Sequence, residues 1–113
     1  MFQSVSQYTK AEGYLQKALV IRKEIGDKQA EASDYVNLGT VFLSVAQYKK
    51  AEEYFQKALV IQQVIGDKEG EASSYGNLGI LCRSVGQYTK AEEYLQKALE
   101  IRKEIGEIGR AHV

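Results

Sequence analysis

The side chains of this sequence best suited to nucleophilic catalysis are one cysteine and one histidine. Cys82 and His112 are the only residues of their types, and they lie 30 positions apart. Nucleophilic catalysis needs a thiol, a base and an orienting group within hydrogen-bonding reach of one another. Nothing in the pattern brings Cys82 and His112 together, so Cys82 is predicted to be a small buried apolar side chain. No enzymatic activity is expected.

Carboxylates and glycines also fail to form a recognisable reactive set. Glu52–Glu53 and Glu92–Glu93 are neighbours in sequence, and adjacent side chains on a helix point in different directions and are expected to be solvated. The run Gly-Asp-Lys-Glu-Gly at 66–70 lacks the spacing of a phosphate loop or a calcium loop. A single cysteine rules out an intramolecular disulfide and a cysteine-based metal site. The sequence therefore predicts neither a cofactor nor a metal.

Composition and charge narrow the classes of partner. The 113 residues include 15 lysines and arginines and 15 aspartates and glutamates, so the formal net charge is zero. Nucleic-acid binding usually needs a basic excess to neutralise phosphates, and no nucleic-acid partner is expected. No apolar stretch approaches the roughly 20 residues that cross a bilayer, and the N-terminus lacks a basic region followed by an apolar run. A cytoplasmic protein without membrane contact is expected.

The sequence repeats itself every 40 residues. Residues 1–40 and 41–80 align without gaps and are identical at 26 of 40 positions. A fixed period of this size is typical of a solenoid, in which each unit buries its apolar face on its neighbours. The whole chain, 1–113, is predicted to be one array cut from a longer one. Its units are about 1–26 (partial), 27–66 and 67–106, with 107–113 as the start of a further unit or a tail.

Each unit carries two helical patterns. Apolar or small side chains in residues 47–65 recur at steps of three and four, which places them on one helix face. Gly66 is predicted to end this helix in the left-handed conformation, and Asp67 is predicted to cap the next. That next helix is expected from near Lys68 to near Ser84. The short turn after it forces neighbouring helices to pack antiparallel.

Small residues recur where the paired helices are expected to cross. Glycine within a helix costs about 1 kcal/mol relative to alanine, so its repetition indicates a close approach of two helix backbones. The recurring small residues are Gly39 and Gly79 in the first helix of each unit, and Ala51, Ala58, Ala91 and Ala98 in the second.

An aromatic residue, Leu-Gly, a second aromatic and a small–aromatic–small triplet follow one another here as Tyr35, Leu38-Gly39, Phe42, Ala51, Phe55 and Ala58. This pattern resembles the tetratricopeptide repeat over essentially the whole chain. Two positions depart from the family, since Cys82 replaces the second aromatic residue and Gln63 replaces a proline. The longer 40-residue unit is similar to the repeats of kinesin light chains and of Pins-type G-protein-signalling regulators.

The resemblance implies an all-α fold, a right-handed α-solenoid of antiparallel helix-turn-helix hairpins. In this family the first helix of each unit lines a concave groove that binds extended peptides. The corresponding positions, called here the predicted groove residues, are Ser33, Val36, Asn37, Thr40, Leu43, Ser73, Asn77, Ile80 and Arg83.

The only two asparagines, Asn37 and Asn77, occupy the same position in consecutive units. Asparagine is a poor helix former, so its recurrence in the middle of a helix needs an explanation. Its carboxamide could donate to and accept from the backbone of a bound peptide. A bond to a neighbouring helix, or inheritance by duplication, accounts for the placement equally well. Arg83 either pairs with a carboxylate of a partner or is a solvated surface residue.

These features predict a non-enzymatic interaction scaffold or adaptor that binds an extended peptide or a partner protein in its groove. The alternative is a self-associating structural fragment that stacks, or exchanges an element, through uncapped ends. That alternative predicts a homo-oligomer formed through exposed end helices. Its apolar surface is expected near Phe2, Val5 and Leu15 at one end, and near Tyr94 and Ile105 at the other.

Overall fold

The computed structural model describes the backbone of residues 2–111 and the side chains of residues 7–109. Within this part of the chain the regular structure is entirely α-helical. The helices are α1 (Phe2–Ile25), α2 (Lys28–Ser44), α3 (Tyr48–Ile65), α4 (Lys68–Ser84) and α5 (Tyr88–Ala111).

Each helix packs against the next helix along the chain, from α1 to α5. The predicted α-solenoid of antiparallel hairpins is confirmed. Helices α2 and α4 are the first helices of their hairpins, whereas α1, α3 and α5 have the sequence pattern of second helices. The described residues therefore hold two complete hairpins, α2–α3 and α4–α5, preceded by one second helix.

The junctions between units are made by the predicted caps. Gly26 and Gly66 adopt the left-handed conformation, with φ of 74° and 73°. The carboxylates of Asp27 and Asp67 then accept hydrogen bonds from the Ala30 and Gly70 amides, both at 3.0 Å. These bonds satisfy amides that would otherwise have no partner at the start of α2 and α4.

The turns inside the hairpins depend on a residue with positive φ. Ala46 has φ of 62° and Gly86 has φ of 81°, and the following amides bond back into the preceding helix. The Gln47 amide donates to the Phe42 carbonyl at 2.9 Å, and the Gln87 amide donates to the Cys82 carbonyl at 2.8 Å. Each turn is therefore closed by its own backbone.

Both ends of the array differ from the repeat pattern, which predicts a turn near residues 5–7 and a helix end at Gly106. Instead α1 and α5 continue unbroken through these positions. At the first position α1 runs through as regular helix, which satisfies the backbone amides there. At the second position Glu107 follows Gly106 where aspartate follows Gly26 and Gly66. The N-cap that would start a new helix is therefore missing.

The core follows the predicted pattern of small and large residues. Leu38, Phe55 and Leu78 are fully buried, and Gly39 allows the Phe55 ring to lie against the α2 backbone. A β-carbon at Gly39 would lie 2.5 Å from the Phe55 ring, and one at Gly79 would lie 2.8 Å from Leu95 Cγ. These glycines therefore make room for a side chain of the second helix, and a backbone atom, the Ala91 carbonyl oxygen, is among the nearest neighbours only at Gly79.

Stacked aromatic rings extend the core of the α2–α3 hairpin. The ring of Tyr54 stacks on Tyr35 with a centroid distance of 6.0 Å and on Phe42 at 5.6 Å. In the α4–α5 hairpin Tyr75 and Tyr94 repeat the first contact, but Cys82 stands where Phe42 would be. As predicted, Cys82 is buried, and this burial raises the pKa of its thiol.

Within the described residues, no helix combines the length and apolar content that crossing a membrane requires.

Candidate peptide-binding groove

The predicted groove residues all lie on two helices, α2 and α4, and together they define what we call the α2–α4 face. Most of these side chains are exposed to solvent, and the remainder are half-buried. The exposed members are Ser33, Asn37, Thr40, Ser73, Ile80 and Arg83, and the half-buried members are Val36, Leu43 and Asn77.

The Thr40 hydroxyl on this face and the Ser84 hydroxyl beside it are already engaged by their own helices. Thr40 Oγ1 donates to the Val36 carbonyl at 3.0 Å, and Ser84 Oγ donates to the Ile80 carbonyl at 3.1 Å. Such local bonds use the hydroxyl proton, so these groups are left mainly as acceptors. Hydrogen-bond donors to the carbonyl groups of a bound peptide must therefore come from other residues of the face.

The two asparagines have the free hydrogen-bonding capacity that Thr40 and Ser84 lack. Within the described part of the chain, neither the Asn37 nor the Asn77 carboxamide has a hydrogen-bond partner. Each carboxamide offers two N–H donors and an acceptor oxygen. The alternative of a bond to a neighbouring helix is therefore not observed. Inheritance of both asparagines by duplication of the repeat is the alternative that stays.

The α4 part of the face is not one continuous hollow. Ile80 and Arg83 line one shallow depression together with Ser84 and Tyr88. Ser73 lies in a second depression beside Glu69, Arg102 and Ile105. The Arg83 guanidinium makes no ion pair with any described residue, so it can pair with an external carboxylate.

Two polar pairs, each with a buried member on the first helix, join successive units, and neither was predicted from the sequence. Arg22 Nε lies 3.3 Å from Asp34 Oδ2 between α1 and α2. These two atoms attract as an ion pair without the alignment of a hydrogen bond. Forty residues later Ser74 Oγ donates to Gln62 Oε1 at 2.6 Å. Alignment of the repeats contains a signal for these pairs, because Arg22 aligns with Gln62 and Asp34 with Ser74, so both members of the pair change together.

Tyrosine hydroxyls connect the second helices of successive units. Gln16 Nε2 donates to the Tyr54 hydroxyl at 3.0 Å, and Gln56 Nε2 donates to the Tyr94 hydroxyl at 3.3 Å. The Lys57 ammonium lies 5.5 Å from the centre of the Tyr54 ring, within the range of cation–π attraction. Tyr54 and Tyr94 are therefore structural.

Exposed apolar side chains mark both ends of the array, but not all at the expected residues. Leu15, Tyr94 and Ile105 are half-buried, because they pack against the cores of the neighbouring helices. Phe2 and Val5 lie outside the residues whose side chains are described. The exposed residues are instead Tyr14, Ile21 and Leu99.

No group of three or more metal-binding side chains occurs in the part of the chain that the structure describes. His112 lies outside that part.

Comparisons with known proteins agree with this architecture. The sequence profile of the tetratricopeptide repeat family matches residues 1–61 and 44–104. The solved structure of BtubC (BKLC) from P. vanneervenii, a kinesin light chain-like protein, is similar to this chain. Its TM-score is 0.82, its sequence identity is 28%, and the match covers 93% of this chain and 44% of BtubC. The chain thus spans less than half the length of that relative. No curated protein sequence matches it.

Proposed function

Because this chain belongs to the tetratricopeptide repeat family, we propose that it is a non-enzymatic adaptor whose α2–α4 face holds an extended peptide of another protein. Repeats of this family are in general protein-interaction scaffolds. An extended peptide has unsatisfied backbone amides and carbonyls, so a face that binds it needs side chains able to both donate and accept.

The observation that carries the proposal is the pair of unengaged carboxamides. Asn37 and Asn77 occupy equivalent positions on α2 and α4, and neither bonds to a described residue. Asparagine disfavours helix, and neither carboxamide bonds within the described part of the chain. A bound peptide would account for asparagine at both positions. Arg83 adds a positive charge on the same face, which favours peptides that carry a carboxylate.

A peptide library displayed on phage supplies the probe for this function. Peptides selected on the wild-type chain are titrated against wild type and against an Asn37→Ala, Asn77→Ala double variant. We expect the double variant to bind at least about tenfold more weakly, because two peptide hydrogen bonds are lost. Isothermal titration calorimetry measures both dissociation constants.

The matched control is Glu53→Ala, which changes an exposed residue of α3 and is expected to leave the affinity unchanged. Alanine forms helix better than asparagine, so the double variant is expected to melt no lower than wild type. Equal affinities of the folded double variant and wild type would remove the asparagines from the proposed site.

Self-association is a second candidate function, and one observation favours it. Leu99 on α5 is 61% exposed, whereas the equivalent Leu19 and Leu59 are each 6% exposed. Because this position is buried in the two preceding units, the exposed Leu99 supports a contact between α5 and another surface.

A further inference from the structure

The uncovered surface of α5 has the chemistry of an interface that the chain makes elsewhere. On α1 the equivalent surface consists of Gln16, Leu19 and Arg22, which contact Tyr54, the apolar core and Asp34. On α5 the same positions are Gln96, Leu99 and Arg102. Within the described residues Gln96 and Arg102 have no hydrogen-bond or ion-pair partner, and Leu99 is exposed.

The two helices are close copies of one another. Residues 14–26 and 94–106 are identical at 12 of 13 positions and differ only where Val20 corresponds to Glu100. Val20 is exposed, so this difference lies outside the interface. Whatever surface accepts α1 therefore also fits α5.

The open ends of two copies do not complement each other directly. At the N-terminal end α1 exposes Tyr14 (73%) and Ile21 (54%), whereas the equivalent Ile101 on α5 is 9% exposed. Tyr14 and Ile21 lie on the face with which a second helix packs against the first helix of its own hairpin, and Leu99 lies on the face that packs against the first helix of the next hairpin. Simple stacking of the ends would bring two second helices together. The predicted end-to-end stacking is therefore disfavoured.

We propose that α5 of one copy binds the α2–α3 hairpin of a second copy in place of that copy's own α1. This inference rests on the second candidate function, self-association, and specifies its surface and its geometry. The junction places Leu99 on the core of α2–α3, Gln96 next to Tyr54, and Arg102 next to Asp34. Because the two joined surfaces differ, the assembly is head-to-tail and open.

Charge selects α2 as the acceptor and disfavours α4. Asp34 on α2 is buried with Arg22 as its partner, whereas the equivalent position on α4 is Ser74, which bonds to Gln62. Arg102 placed against Ser74 would lose water without gaining a carboxylate. The α5 surface therefore binds the α2–α3 hairpin and not the α4–α5 hairpin.

Preorganisation allows α5 to compete with the covalently attached α1. An isolated helix is marginally stable in water, and α1 is held by its packing on α2 and by the Gln16–Tyr54 hydrogen bond. Helix α5 is already fixed by α4 through Ala91, Ala98 and Ile101. Docking of α5 therefore orders fewer residues than docking of α1, which offsets part of the translational and rotational entropy that two copies lose on association.

The same substitution at two equivalent positions tests the exchange. Arg22→Gln weakens α1 on α2 and is expected to strengthen self-association, whereas Arg102→Gln weakens the incoming helix and is expected to reduce it. Each change is expected to be about tenfold in the association constant. Sedimentation velocity of the full chain over a wide concentration series measures both, with thermal melts to verify folding.

A second pair of variants does not depend on the ion pair. Leu99→Glu places a charge on the α5 surface and is expected to abolish association. Val60→Glu is the matched control, because Val60 is 58% exposed on α3, and it is expected to associate as wild type does.

The possible results distinguish failure of the exchange from failure of self-association and from failure of peptide binding. Association that is lost in Leu99→Glu but unchanged in Arg22→Gln would overturn the exchange while leaving self-association in place. A wild-type chain that stays monomeric at the highest concentration would overturn both. Neither result bears on peptide binding by the α2–α4 face.

Discussion

Single atoms decide how closely the paired helices approach one another. At Gly39 and Gly79 the absence of a β-carbon leaves room for Phe55 and Leu95, which belong to the second helix of each hairpin. Glycine is unfavourable within a helix, yet the contact it permits buries a large apolar side chain. The cost in helix propensity is offset by packing at these two positions.

Two glycines of α4 allow this balance to be measured. Gly79→Ala is expected to destabilise the chain by about 1–2 kcal/mol, because a new β-carbon would meet Leu95 and the Ala91 carbonyl. Gly76→Ala in the same helix has open space around the new atom and is expected to stabilise by about 0.5–1 kcal/mol. Urea unfolding measures both, and changes of the same sign would contradict the packing argument.

Element boundaries are set by a few local interactions, and these were the most predictable part of the fold. The left-handed Gly66 and the cap Asp67 are recognisable in the sequence, and α4 runs from Lys68 to Ser84 as predicted. The course of α1 and α5 through the expected breaks was not predictable in this way. At the end of the last unit Glu107 replaces the capping aspartate, and the repeat pattern did not show that α5 would continue past this change.

The N-cap of α4 is testable by a change of one side chain. Asp67→Ala removes the acceptor for the Gly70 amide and is expected to destabilise the chain by about 1 kcal/mol. Asp67→Asn keeps an acceptor oxygen and is expected to retain most of that stability. Equal loss in the two variants, measured by chemical denaturation, would show that charge and not capping is the stabilising factor.

The candidate site was predicted only in part. The repeat pattern placed Asn37 and Asn77 on the solvent-facing side of α2 and α4, where the structure has them. It did not predict that their carboxamides are unbonded, because a hydrogen-bond partner depends on side chains from other helices. The Arg22–Asp34 and Gln62–Ser74 pairs were missed for the same reason.

For the whole molecule, stability is expected to vary along the array because each helix depends on its neighbours. Helix α3 packs between α2 and α4, whereas α1 packs on α2 and adds a side-chain hydrogen bond to α3, from Gln16 to Tyr54. Backbone amides of α1 are therefore expected to exchange with solvent at least about tenfold faster than those of α3. Hydrogen exchange at low protein concentration, followed by mass spectrometry, makes this comparison. Uniform protection of the two helices would mean that the array opens only as one unit.

Near-identical units create a danger while the chain folds, since a helix can dock on the wrong copy of its partner with an equally good apolar fit. The two different polar pairs, Arg22–Asp34 and Gln62–Ser74, act against this error. If α1 settled on α4, Arg22 would meet Ser74, and Asp34 would be left with no cation. A carboxylate enclosed without its counter-charge costs several kcal/mol, so the misaligned form is short-lived. The difference between the two pairs thus lets each repeat recognise its proper neighbour, even though the rest of the sequence is almost the same.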